Sequence, residues 1–347
     1  MKVLVAGLGN MGMSHALAHA RAKGVTVAGL VNRSPVALPP ELANVPFFND
    51  FEEGLHAVRP DLVVVATYTD SHADFAVAAM EAGAHVFVEK PLAMTLGEAG
   101  RVVATARRLN RKLVVGYILR HHPSWRRLIA EARDLGGPFV FRLNLNQQST
   151  GPTWETHKSL MKTTPPIVDC GVHYVDVMCQ ITDARPVRVQ GMGLRLSDEI
   201  AEDMYNYGQF QVMFEDGSVG WYEAGWGPMM SEVAYFVKDV ISPRGAVSIL
   251  SGMHPASDSV EGHTRVGALR IHRVGEADRD ISFPGEPDHQ ALCDAEQAYL
   301  RRAVAEDIDL SRHMRDALAS LAVCLAADES IRTGRPIDLP IDLESHA

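Results

Sequence analysis

The sequence predicts an α/β protein that begins as a doubly wound parallel sheet. An α+β domain follows, built on a large, open, mostly antiparallel sheet. Three observations predict this. Up to about residue 115, short continuous apolar runs alternate with helical patterns. Strands that are apolar on both faces belong to parallel sheets covered by helices. The first run feeds a glycine-rich turn, Gly7-Leu8-Gly9-Asn10-Met11-Gly12. From Phe139 onward the strand-like runs alternate apolar with polar residues, as in antiparallel sheets with one solvated face.

The elements follow in chain order. Residues 3–6 form a strand, and 10–22 an Ala-rich helix. Residues 25–31 and the continuous run 61–67 (DLVVVAT) are further strands. Residues 71–82 form a helix stopped by Gly83, 85–88 a strand, 96–109 a helix and 113–115 a strand. In the second half the strand-like runs are 139–145, 187–194, 205–214, 219–224, 233–241 and 269–274, with turns expected at Gly217 and Gly245. Segments near 167–181 and 291–333 are helical. The sequence shows no internal repeat and no low-complexity linker.

A chain of 347 residues that is 46% hydrophobic and 22% charged is long enough for two globular domains, and its composition excludes disordered and collagen-like classes. Its formal charge of −10 argues against nucleic-acid binding, which needs clustered cations. Short basic runs (Arg107-Arg108, Arg126-Arg127, Arg301-Arg302) sit in helical patterns and are expected to be solvated faces. Cys170, Cys179, Cys293 and Cys324 include no C-x-x-C pair, so reduced thiols in a cytoplasmic protein are expected, with Cys170 the one candidate for a catalytic thiol. The N-terminus lacks the features of a secretory signal, and no apolar run approaches membrane-spanning length.

The motif G-x-G-x-x-G is weak alone, but here it follows a strand and opens a helix. Gly7 permits the tight turn, Gly9 admits a pyrophosphate to the backbone, and Gly12 allows close helix–strand packing. With Asn10 and Met11 they form the expected dinucleotide loop. The end of the second strand reads Val31-Asn32-Arg33-Ser34, without the Asp or Glu that accepts ribose hydroxyls in NAD enzymes. Arg33 and Ser34 suit a 2′-phosphate, so NADP(H) is favoured, while NAD(H) served by Asn32 stays open.

Two further segments carry chemistry. Val88-Glu89-Lys90-Pro91 stands at the end of a parallel strand, where the ligand crevice lies. Asp169-Cys170-Gly171-Val172-His173 spaces an acid and a histidine four apart. In a helix they share one face, and His173 then suits proton transfer while Lys90 stabilises a developing alkoxide. On spacing alone the pair reads equally as a helix cap with a buried core histidine. No third ligand of metal-site spacing stands out, so no metal is expected.

These motifs resemble the Gfo/Idh/MocA oxidoreductase family. The resemblance rests on VAGLGNMG, on TDSHADFAVAAMEAGAHVFVEKPLAM with its His72, on GYILRHHPSW at 116–125, on DCGVHYVD at 169–176, and on the closing ALCDAEQAYLRRAVAE and ESIRTGRPIDL. It covers almost the whole chain. It implies a Rossmann domain (residues 1–120) and a substrate-binding and oligomerisation domain (residues 121–347). It also implies hydride transfer between a nicotinamide and a secondary alcohol or ketone of a sugar, cyclitol or related polyol. Carried over, Lys90 polarises the reacting oxygen, His173 is the acid/base, and Asp169 binds substrate and tunes His173. Thr67, His72, Glu89 and Lys90 lie along the cofactor, the Lys90–Pro91 bond holds a cis-like turn, and Arg120 sits near the domain junction as a substrate contact or a structural ion pair. A homodimer or homotetramer is implied.

The sequence departs from the family pattern at Thr163-Thr164-Pro165-Pro166, where many members have glycines, so the substrate pocket is expected to differ. The preceding segment 151–158, read as a loop, offers Trp154 and His157 as sugar contacts or as packing. Tyr222 and Trp226 line the same pocket or an oligomer interface. Alternatives to the polyol dehydrogenase are the same chemistry on a dihydrodiol, an imine or a keto-sugar intermediate, or a non-catalytic dinucleotide sensor or corepressor.

Overall fold

Residues 1–231, 237–250, 257 and 264–340 are described by the structure, a computed structural model. The chain divides into two compact units: among the described residues, 1–118 with 288–318, and 119–287 with 319–340.

In the first unit, β1 (Lys2–Ala6) runs through the glycine-rich turn into α1 (Asn10–Ala20). Then come β2 (Thr26–Val31), β3 (Phe47–Phe48), α2 (Phe51–Val58), β4 (Leu62–Val65), α3 (His72–Glu81), β5 (His85–Val88), α4 (Leu96–Arg108) and β6 (Leu113–Val115). The strands pair in parallel in the order β3-β2-β1-β4-β5-β6. All four residues of β4 are buried, as a strand covered on both faces requires. Helix starts are written locally: Asp50 Oδ1 accepts from Glu53 N at 2.9 Å before α2, and Thr95 with Glu98 forms a capping box before α4. The strand order reverses between β1 and β4, which opens a crevice at their carboxyl ends.

The second unit comprises α5 (Pro123–Leu135), β7 (Val140–Gln147), α6 (Gly151–Leu160), α7 (Pro166–Asp169), α8 (Gly171–Thr182), β8 (Pro186–Leu194), β9 (Tyr207–Phe214), β10 (Val219–Trp226), β11 (Lys238–Ser242), β12 (Gly245–Ile249), β13 (Ala268–Arg273) and β14 (Arg279–Ser282). After these come α9 (His289–Ala305), α10 (Ser311–Thr333) and β15 (Ile337–Asp338). The sheet order is β14-β13-β12-β11-β7-β10-β9-β8-β15; among the described residues every pairing is antiparallel except β7 with β10. One face buries Phe210, Val212, Phe214, Tyr222 and Ala224, and α8 packs on it.

Helix α9 belongs to the first unit. It lies along α1, and its Leu300 and Ala303 join Val3, Val5, Val64 and Phe87 in one core. That placement comes from contacts between residues some 280 positions apart and has no local sequence signal.

Several elements go beyond the sequence expectation. Helix α2 falls in a stretch left unassigned, and α5 extends around Arg126-Arg127, the one part of it read as helical. The segment 151–158, read as a loop, is the body of α6, whose Pro152 sits in the first turn, where a proline costs no helical hydrogen bond. The strand expected over 233–241 is present from Lys238, while positions 233–236 lie outside the described residues. Tyr222 and Trp226 are almost completely buried, so they are core residues of this unit and cannot form an exposed interface.

Candidate active site

The first unit supplies a phosphate cradle. Gly7 has φ +88°, and a Cβ there would meet the Ala66 carbonyl oxygen at 2.3 Å. A Cβ on Gly12 would stand 1.8 Å from the Gly7 carbonyl oxygen. Only glycine fits either position. At Gly9 the reverse holds: no described atom lies within 4 Å of a Cβ built there. Gly9 is the N-cap of α1, has no side chain to satisfy the first-turn N–H groups, and the first turn (Asn10, Met11, Gly12) carries no acid. Open space above exposed N–H donors at a helix N-terminus fits a pyrophosphate.

Beside it, Asn32 Oδ1 accepts from Leu8 N (3.1 Å) and its Nδ2 donates to Ser34 O (2.7 Å). Asn32 therefore shapes the loop with its own amide. Arg33 and Ser34 are exposed, and the Arg33 guanidinium stands 5.7 Å from the ring centre of exposed Tyr68.

Thr67 and His72 tie strand ends together. Thr67 Oγ1 bonds Ser71 Oγ at 2.7 Å. Buried His72 stands between the carbonyls of Pro91 (2.8 Å from Nδ1) and Thr67 (3.1 Å from Nε2). Burial lowers its pKa, against the opposing pull of those two carbonyls. Its ring thus clamps the turn after β4 to the turn after β5. Lys90 stands two residues after the end of β5, is half-buried, and precedes a cis bond to Pro91, as the resemblance implied. Glu89 is turned inward: its Oε1 lies 2.7 Å from His15 Nε2 and its Oε2 accepts from Lys90 N at 3.1 Å. Both Glu89 carboxylate oxygens are thus engaged by inner hydrogen bonds.

In the second unit, Asp169 ends α7 and His173 lies in the first turn of α8; Cys170 between them is in the right-handed helical region, and both side chains are half-buried. Beneath them Gln147, at the end of β7, accepts from Trp226 Nε1 at 2.8 Å and approaches Cys170 Sγ at 3.9 Å. Cys170 is buried, where thiols are inert rather than nucleophilic.

Trp154 and His157 are buried too. Trp154 Nε1 donates to Glu199 (3.2 Å). His157 stacks on Trp226 with ring centres 4.3 Å apart and bonds Ser149 Oγ at 2.8 Å. His157 thus backs the tryptophan that holds Gln147, and burial leaves little of either Trp154 or His157 for a sugar. Arg120 makes a two-pronged pair with fully buried Asp176 of α8, at 2.8 and 2.5 Å. Of the two readings offered for Arg120, the ion pair is the one observed.

Sequence reasoning missed His15, His19, Glu296 and Gln297, whose partners are remote in sequence. His15, Cys293 and Glu296 place ligand-type atoms within 4.8 Å of one another, the one such grouping among the described residues. Both ring nitrogens of His15 are already bonded, to Glu89 and Gln297, so its chemistry here is hydrogen bonding.

The doubly wound sheet, its glycine-only loop and the uncapped helix behind it define a dinucleotide-binding α/β protein. Residues 1–117 match the family model described as "Oxidoreductase family, NAD-binding Rossmann fold", and residues 125–235 match the "GFO/IDH/MocA C-terminal domain". The chain belongs to the Gfo/Idh/MocA oxidoreductase family. It is 25% identical to the scyllo-inositol 2-dehydrogenase (NAD(+)) of Bacillus subtilis, over 98% of this chain and 97% of that one. It is 26% identical to the inositol 2-dehydrogenase of Salmonella paratyphi B over 51% of this chain, and the match spans about half (53%) of that relative's length. The NAD binding oxidoreductase of Klebsiella pneumoniae has the same fold (TM-score 0.79, 20% identity, 99% of this chain and 100% of that one). Among the described residues no helix is long and apolar enough to cross a membrane.

Proposed function

We propose that this protein is a nicotinamide-dependent dehydrogenase acting on a secondary alcohol, or its ketone, of a sugar, cyclitol or related polyol. One observation carries the reading: a glycine-only phosphate cradle and a half-buried lysine both stand at the carboxyl ends of one parallel sheet. A nicotinamide held at the cradle would supply the hydride acceptor or donor. The chain's own residues handle charge and proton: Lys90 steadies the negative charge growing on the substrate oxygen, His173 accepts the hydroxyl proton, and Asp169 binds substrate and orients His173. Residues 1–120 serve the dinucleotide and 121–347 the substrate, with α9 added to the first group.

The test is reduced-nicotinamide absorbance with NAD or NADP across inositols, aldoses and methyl glycosides. Turnover of a member of this panel supports the reading. Dinucleotide binding with no turnover of any polyol or keto-sugar overturns it in favour of a sensor.

The proposal extends to NADP(H) as the favoured cofactor. Its support is the exposed Arg33 and Ser34 at the end of β2, where no carboxylate stands to repel a 2′-phosphate. Arg33→Ala is expected to raise the KM for NADP about tenfold or more, the worth of one charge-assisted bond, and to move that for NAD less than threefold or so. Equal losses for both cofactors would sink the preference.

Self-association as a dimer or tetramer and residence in the cytoplasm complete the proposal. The former is supported by exposed Met192, Met213 and Val219 on neighbouring strands β8, β9 and β10, the latter by four buried thiols.

A further inference from the structure

A buried hydrogen-bonded chain runs through the first unit and ends on the backbone of Lys90. Arg301 Nη1 lies 3.1 Å from His19 Nδ1. His19 Nε2 lies 2.9 Å from Gln297 Oε1, and Gln297 Nε2 lies 3.0 Å from His15 Nδ1. His15 Nε2 lies 2.7 Å from Glu89 Oε1, and Glu89 Oε2 accepts from Lys90 N. His15, His19 and Gln297 are fully buried and Glu89 nearly so.

The two ends of this chain fix every proton in it. A guanidinium only donates, so His19 Nδ1 accepts and its hydrogen sits on Nε2. That hydrogen goes to the Gln297 carbonyl, the Gln297 amide N–H goes to His15 Nδ1, and the His15 hydrogen on Nε2 goes to Glu89. His19 stays neutral, its pKa lowered to about 3 by burial and the Arg301 charge. All donors point one way, from Arg301 toward the carboxylate.

The surroundings make Glu89 the anion. Burial pushes its pKa up, but the hydrogen bond and electrostatic attraction of His15, then the charge of Lys90 and the Lys90 N–H, outweigh burial and hold it below the usual carboxylate range. Facing it from α9 is Glu296, fully buried, with neither carboxyl oxygen bonded among the described residues. Burial and the Glu89 charge push the Glu296 pKa up, which favours its neutral form. Burial likewise raises the pKa of the Cys293 thiol and lowers that of the His72 ring on α3. Position is fixed as tightly as charge. A Cβ on Gly116 would stand 3.1 Å from all three atoms of the Glu89 carboxyl group, and Phe87 packs against His15 with ring centres 4.6 Å apart. This contact explains why GYILRHH begins with glycine.

We propose that Arg301, His19, Gln297, His15 and Glu89 form a one-way positioning chain that presents a fixed carboxylate to Lys90 and thereby sets the orientation and charge of its ammonium group. These are positioning residues, acting through Lys90. The catalytic consequence rests on the function proposed above, but the test does not. It uses the full-length, cofactor-free protein and acetic anhydride as probe, with acetylation of Lys90 followed by peptide mass across a pH series and exposed Lys23 as internal standard.

Glu89→Gln keeps the shape and removes the charge. It is expected to shift Lys90 labelling about one pH unit downward, so that Lys90 is acetylated about tenfold faster below its original midpoint while Lys23 is unchanged. Gln297→Leu breaks the chain two links away and is expected to shift it the same way by a smaller amount. This second variant decides the matter if Glu89→Gln does not fold. Lower melting temperatures with Lys90 labelling curves superposed on the parent's overturn the proposal, because a merely structural network lowers stability without retuning Lys90. Full turnover by Lys90→Met would defeat the proposed catalysis instead, and leave the labelling result standing.

Discussion

Lys90→Met and His173→Ala are each expected to lower kcat by about 10²–10⁴-fold, the usual range for losing a positioned proton-transfer or charge-stabilising group. The dinucleotide Kd, followed by fluorescence quenching, is expected to change less than threefold or so. The expectation combines two placements. Lys90 comes two residues after the end of β5, in a sheet whose carboxyl ends also carry the glycine cradle, and it is half-buried, where a charge acts more strongly than in water. His173 opens α8, an element locked by the Arg120–Asp176 pair and by buried Val172 and Tyr174 on either side of it. Met replaces the lysine at similar length and removes only its charge and donors. A variant that loses turnover together with dinucleotide affinity would show that the substitution damaged the cradle. A variant with near-parental turnover removes that residue from the chemistry.

What could be read in advance divides along physical lines. Strands β1, β4 and β5 were legible because a strand covered on both faces must be apolar throughout, and their residues are indeed almost all buried. The cradle was legible because its glycine spacing is local: a Cβ on Gly12 would strike the Gly7 carbonyl five residues back, although the clash that reserves Gly7 for glycine comes from the remote Ala66 carbonyl. Helix α5 carried a signal that was passed over. Pro123 sits in the first turn, with Trp125, Leu128, Ile129, Ala132 and Leu135 on the buried stripe. Helix α6 was masked by Gly151-Pro152, which looks like a turn until the proline is recognised as a helix start. The inward turn of Glu89, the burial of Trp154 and His157, and the chain through Gln297 were beyond local reasoning. Each depends on which remote surface folds over the residue. Glu89 and His15 are 74 positions apart, and His15 and Gln297 are 282 apart.

Arg120 shows the same divide at one residue, and it supports the second large prediction. The sequence left it as a substrate contact or an ion pair; in the structure its Nε and Nη2 reach the two carboxylate oxygens of Asp176, whose side chain is completely buried and also accepts from Gln180 Nε2 at 2.9 Å. Removing the cation from a buried pair costs far more than an exposed ion pair contributes, because the remaining charge keeps its desolvation penalty. Arg120→Ala is therefore expected to destabilise the protein by about 3–5 kcal/mol, read as a lower denaturation midpoint. Arg120→Lys is expected to recover little, since a single ammonium cannot reproduce the fork. Asp176 lies three residues after His173 on α8, so slackening there is expected to lower kcat as well. The double variant Arg120→Met with Asp176→Leu, which removes both charges and keeps bulk, is expected to regain much of the stability lost by Arg120→Ala. The opposite pattern, an unchanged midpoint with a KM for the polyol raised tenfold or so, would return Arg120 to the substrate.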